Sequence, residues 1–163
     1  MIIGVICNNH VSSNKLLSEG LKVEEFIEGD FEKVVELDRN AFGDSRRKFL
    51  VNRINQSHQC LVLRDEIGKV LGYGLSILGP VNLIIGPIVA PDYNTATYLI
   101  NQLALNYSGK LRIDTVTDDE MIMKFLRDSG FEKVGQPPIM IINSDKMPLR
   151  NNNLYAIAAQ IFG

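Results

Sequence analysis

Apolar residues recur along this chain in two rhythms, a helical one of three and four and an extended one of two, and the alternation between them outlines the elements. The apolar run 2–7 predicts a strand, and the polar stretch Asn8 to Lys15 a loop. Residues 21–26 read as a strand of mixed exposure. Phe31, Val34, Val35, Ala41 and Phe42 then share one face of a helix, with Gly29-Asp30 placed to cap it and Gly43 to stop it. Asp44-Ser45 opens a second helix that turns Phe49, Leu50 and Ile54 inward. From residue 59 the rhythm becomes extended. Strands are predicted at 59–64 and 69–78 around the loop Asp65-Glu66-Ile67-Gly68, and the nearly all-apolar run 81–90 suits a strand covered on both faces. Gly86-Pro87 inside that run marks a bulge or a splay, because proline cannot donate to the ladder. Ala96, Leu99, Ile100, Leu103, Ala104 and Tyr107 form the next helical stripe, and 110–116 a strand. Met121, Ile122, Phe125 and Leu126 follow as a helix that Gly130 ends. Short strands at 131–134 and 139–143 and a terminal helix at 154–162 complete the reading.

Between the N-terminal strand and the terminal helix, the order β-α-α-β-β-β-α-β-α-β-β describes one mixed α/β domain, which suits 163 residues. It matches neither a Rossmann repeat nor a ferredoxin pattern. No Gly-x-Gly-x-x-Gly or Walker loop occurs, so dinucleotide and nucleoside triphosphate sites lack support. Seventeen Lys and Arg face nineteen Asp and Glu, and the resulting charge of −2 offers no basic excess for nucleic acid. Cys7 and Cys60 are far apart, and with His10 and His58 they make no zinc ligand set of usual spacing, so no metal is expected. The N-terminal apolar run carries no basic region and is too short to span a bilayer. The economical expectation is a soluble cytoplasmic protein with no membrane partner.

Three segments carry a family resemblance. They are Gly86-Pro87-Ile88-Val89-Ala90-Pro91 running into the helix at Asp92, the helix end Arg127-Asp128-Ser129-Gly130-Phe131-Glu132, and the helix pair at 30–55 set before the strands. In this order they resemble the GNAT superfamily of acyl-CoA-dependent N-acyltransferases. Leu37-Asp38, Phe42-Gly43-Asp44-Ser45-Arg46-Arg47 and Leu154-Tyr155-Ala156-Ile157 look more narrowly like the second domain of a bacterial tandem group. The likeness covers about 21–163 and sets 1–20 apart as an N-terminal strand and loop. It implies a mixed α/β sheet splayed at a bulge, with helices on both faces and acetyl-CoA as cosubstrate. It also implies a V-shaped opening between strands 81–90 and 110–116, where Ile88, Val89 and Ala90 meet the pantetheine arm. Unpaired backbone groups on a splayed strand suit such an amide-rich ligand.

The chain departs from the family pattern at two places. Where the family has a glycine-rich pyrophosphate loop, this chain has Pro91-Asp92-Tyr93-Asn94-Thr95-Ala96. Phosphate contacts are then expected from helix-terminal groups of Asn94, Thr95, Ala96 and Thr97. The family's general-acid tyrosine is replaced by Leu126. For proton transfer the candidates are Asp114 and Asp119 in the cluster Asp114, Asp118, Asp119, Glu120, which otherwise favours a helix N-terminus. Asp38 falls on an apolar helix face and needs a partner, for which Arg46 or Arg47 is in reach. These three residues form either a structural ion pair or a site for a charged acceptor. The function expected is acetyl transfer to a primary amine, on a small molecule or peptide, by direct attack. The alternatives are a GNAT-shaped binding or regulatory module, and a half-site completed by a homodimer or partner domain.

Overall fold

The computed structural model describes residues 2–8, 10, 12, 16–116, 119–139 and 145–159. The first helical face becomes α1 (Phe31–Phe42), which buries Val34, Asp38 and Ala41. Gly43 ends it in the left-handed region, φ 98°, with its N–H donated to the Arg39 carbonyl. A side chain at Gly43 would be strained there and would meet Pro148. The second helix, α2 (Arg47–Gln56), buries Leu50. Asp30 does not cap α1 through its carboxylate. Its side chain accepts from the Ile27 N–H at 3.0 Å and from Arg64 Nη2 at 2.7 and 2.8 Å. A carboxylate taken out of water favours a neighbouring guanidinium over a helix end.

The extended stretches form β2 (Lys22–Glu25), β3 (Gln59–Arg64), β4 (Val70–Leu78) and β5 (Leu83–Val89), a run in which each neighbouring pair is antiparallel. The chain then crosses over through α3 (Tyr93–Ala104) to β6 (Leu111–Thr115), which runs parallel to β5. The helix α4 (Glu120–Asp128) leads to β7 (Phe131–Gly135). Two strands from the chain's ends complete the sheet. β1 (Ile3–Cys7) lies between β6 and β7, antiparallel to both. β8 (Leu154–Ile157) lies between β5 and β6. The order is β2-β3-β4-β5-β8-β6-β1-β7, a mixed sheet of eight strands. Its α3/α4 face buries Ile85, Ile113, Leu99, Leu103, Ile122 and Leu126, and its α1/α2 face buries Val34, Leu50, Val62, Tyr73 and Ile157.

One expectation is corrected here. The terminal helix read at 154–162 is strand β8 over Leu154–Ile157, because β5 and β6 offer this segment two open edges. Of the strand read at 139–143, Ile139 belongs to no element and the rest lies outside the described residues, as do 160–163. The boundary drawn at residue 20 parts in sequence what the sheet joins in space, since β1 buries Ile3, Val5 and Cys7 in the core shared with α3 and α4.

Candidate functional site

The strands β5 and β6 pair at Leu83–Leu111, Ile84–Arg112 and Ile85–Ile113, and then part at Gly86-Pro87. A strand edge that leaves its neighbour must find other partners for its N–H and C=O groups. Here the chain supplies them itself. On one side Ile88 pairs with Ala156 and Val89 with Leu154; on the other, Asp114 pairs with Ile157 and Thr115 with Ala156. The Ala90 N–H donates to the Asn153 carbonyl at 3.0 Å. Gly86, at φ 146°, allows the approach, because a Cβ there would collide with the Ile157 carbonyl. The V-shaped opening expected from the sequence is therefore a fork filled by β8.

The start of α3 is likewise engaged internally. Asp92 Oδ1 accepts from the Thr95 N–H at 2.9 Å and from its hydroxyl at 3.1 Å. The Thr97 hydroxyl donates to the Tyr93 and Asn94 carbonyls, both at 3.0 Å. Thr95, Ala96 and Thr97 are buried, and Asn94 alone of the four is exposed. A side-chain carboxylate thus already serves helix-terminal donors that an anion would otherwise meet.

Across the sheet, Asp38 is fully buried. Arg46 clasps it with Nε on Oδ2 at 2.9 Å and Nη2 on Oδ1 at 2.7 Å, while the Tyr73 hydroxyl donates to Oδ1 at 2.6 Å. Burial, the Asp38 charge and this hydrogen bond hold the Tyr73 phenol well above its ordinary pKa, so it remains a donor. Arg47 goes elsewhere. Its Nη1 donates to Glu32 at 2.8 Å on the exposed surface, beside a separate groove of about 560 Å³ over Phe26, Phe31, Val51 and Ile54. The two arginines offered by the sequence therefore part company.

The two candidate acids part as well. Asp114 is buried on β6, with Arg112 Nη2 at 3.1 Å. Asp119 caps α4, accepting the Met121 N–H at 2.7 Å, and lines a cavity of about 450 Å³ at the mouth of the fork. Arg150, Asn152 and Tyr155 share that cavity, with Ala41 and Val116 as apolar wall. None of those three polar residues stood out in the sequence as chemistry. Tyr155 stands within Leu154-Tyr155-Ala156-Ile157, whose helical spacing conceals the fork that places it. Its phenol is pushed up by burial and by the charges of Asp92 and Asp119. Leu126, at the family's tyrosine position, is buried in the core. His58 is exposed, its ring edge toward Tyr107. Burial pushes the Cys60 thiol up to about 12. Among the described residues no group of three or more His, Cys, Asp or Glu is placed to hold a metal, and no helix is long and apolar enough to cross a membrane.

A sheet that forks after a parallel crossover, with a helix starting beside the fork and helices on both faces, defines the fold of an acyltransferase. The chain belongs to the GNAT acetyltransferase domain family, whose model matches residues 34–156. It is 36% identical over 142 residues to the uncharacterized N-acetyltransferase YitH of Bacillus subtilis (strain 168), covering 87% of this chain and 50% of that protein. The chain thus spans about half the length of the curated relative it matches. Among solved structures, a Pyrococcus horikoshii protein described as an acetyltransferase aligns with a TM-score of 0.66 at 18% identity, over 99% of this chain and 52% of its own. A GCN5-related N-acetyltransferase from Sphaerobacter thermophilus gives 0.63 at 15% identity, over 82% and 48%. At these identities the two structures bear on the fold.

Proposed function

We propose that this chain transfers an acetyl group from acetyl-CoA to a primary amine on a small molecule or peptide. The observation that supports this most is the fork between β5 and β6 beside the start of α3, in a chain of the acetyltransferase family. In this reading the Ile88–Ala90 backbone serves the pantetheine arm, and Asn94 to Thr97 the phosphates. These groups do not fit the cosubstrate in the conformation described, because β8 holds the fork and Asp92 caps the helix. The reading therefore requires a form in which β8 has left the fork.

Direct attack fits the side chains better than an acyl-enzyme, since Cys7 and Cys60 are both buried. The amine nitrogen bonds the acetyl carbon and the carbon–sulfur bond breaks. The proton lost by nitrogen passes, through Asp119 or water, to the leaving thiolate. Calorimetric titration with acetyl-CoA, paired with an assay for amine-dependent thiol release, tests the proposal. Saturable binding and release that depends on added amine are expected. A second reading, a binding module that kept the fold without the chemistry, is favoured by the hold of β8 on the fork. It prevails if neither binding nor release is found in the unmodified chain and in a variant with β8 loosened.

A further inference from the structure

The cavity at the mouth of the fork carries opposite charges on two of its walls, Asp119 at the start of α4 and Arg150 on the segment entering β8. Arg150 is held in place. Its Nε donates to the Phe42 carbonyl at 2.9 Å, and its guanidinium carbon stands 5.0 Å from the centre of the Phe42 ring. Arg46 lies over the same ring at 3.8 Å. Asp38 is clasped by Arg46, and among the described residues no ion pair reaches Arg150. Arg46 itself is 9% exposed, and its buried Nη1 has no acceptor among the described residues. With Asp119 counted, two guanidiniums stand beside two carboxylates, and Arg46 claims Asp38 for itself. Burial and the Arg46 charge both lower the Arg150 pKa, as befits a cation short of a counter-charge.

We infer that this cavity binds a small zwitterion, an amine that also carries a carboxylate or a phosphate, with Arg150 holding the anionic group and Asp119 facing the ammonium. With Nε spent on Phe42, the planar guanidinium keeps its Nη donors for oxygens, a geometry that suits both anions. Asn152 and Tyr155 add hydrogen-bonding groups to the wall. The volume of about 450 Å³ admits a small molecule rather than a folded partner. Because Tyr155 belongs to β8, the site is complete only while β8 lies in the fork. Its ligand need not be acetylated, so binding here is separable from the proposed reaction although both draw on Asp119.

Calorimetric titration of the full chain with two matched pairs tests this: phosphoethanolamine against ethanolamine, and β-alanine against β-alaninamide. The member bearing the anion should bind about tenfold tighter or more in at least one pair, and that pair tells phosphate from carboxylate. Arg150→Gln should erase the preference, and Arg150→Lys, which keeps the charge, should retain part of it. Equal binding within both pairs in the unmodified chain overturns the inference, whatever the variants do. A preference that survives Arg150→Gln in a folded chain overturns it as well. Acetyl-CoA binding by the same preparation is read separately, so its failure would count against the proposed reaction alone.

Discussion

A carboxylate on the buried face of α1 has to be matched atom by atom, and at Asp38 Arg46 takes one oxygen with each of two nitrogens while Tyr73 adds a third donor. Removing one member of such a buried pair leaves a charge uncompensated, which costs roughly 3–5 kcal/mol. Asp38→Asn keeps the shape and loses the charge, so the loss of stability should be about 3 kcal/mol by urea denaturation. Tyr73→Phe removes one hydrogen bond to a charged group and should cost about 1–3 kcal/mol. The double variant should lose less than the two together, since the residues act as one unit. Unchanged stability in Asp38→Asn would mean that Asp38 awaits a ligand. The need for a partner was legible in the sequence, because the position of Asp38 on the helix follows from spacing alone. The choice of Arg46 over Arg47 was not, as both follow Gly43 directly. Tyr73 was out of reach for a different reason: it comes from another strand, 35 residues on, and only the packing of α1 on β4 brings it in. Leu126 illustrates the same limit. Its place in the helix was legible, but not that Tyr155 on β8 lines the cavity at the fork mouth.

The strand β8 is four residues long, yet it buries Leu154, Ala156 and Ile157 and pairs on both sides. Withdrawing the two large side chains from the core costs roughly 3–6 kcal/mol at about 1.5–3 kcal/mol each. In the proposed reaction, acetyl-CoA binding must offset that cost, and its apparent affinity falls by the fraction of molecules with an open fork. Ala156→Pro weakens the hold of β8, because proline in a central strand breaks the ladder. The variant should melt at a lower temperature and bind acetyl-CoA at least about tenfold tighter by calorimetry. A folded variant with unchanged or weaker affinity would dismiss exchange between β8 and the cosubstrate. The sequence made α1, α3, α4 and the run from β3 to β6 legible, because there the apolar period and the observed burial largely agree, although Met121 of the α4 stripe is exposed and Tyr107 falls beyond α3. It failed at β8, where Leu154 and Ile157 are spaced three apart, as on a helix. What makes this segment a strand is the pair of open edges on β5 and β6, a tertiary cause that overrides local pattern. The position of β1 between β6 and β7 was illegible on the same ground, since both neighbours lie more than a hundred residues away.

At the scale of the whole molecule, the fork and the cavity share one moving part. The cavity needs β8 in place, because Tyr155 and the segment bearing Arg150 and Asn152 arrive with it. The proposed acetyl-CoA complex needs β8 gone. Two ligands that favour opposite states of one element must oppose each other, and linkage makes the factor the same in both directions. A zwitterion at saturation should therefore weaken acetyl-CoA binding, and acetyl-CoA should weaken the zwitterion by an equal factor, about tenfold or more if β8 moves as a unit. Ala156→Pro should shift the two affinities in opposite senses, strengthening acetyl-CoA and weakening the zwitterion. Calorimetric titration of each ligand with and without the other measures all of this on one preparation. The competing outcome is equally concrete. If the zwitterion is an acceptor held beside the thioester in a ternary complex, the two ligands should bind independently or help each other. That result would mean β8 keeps its place while acetyl-CoA is bound, and the exchange would have to be abandoned.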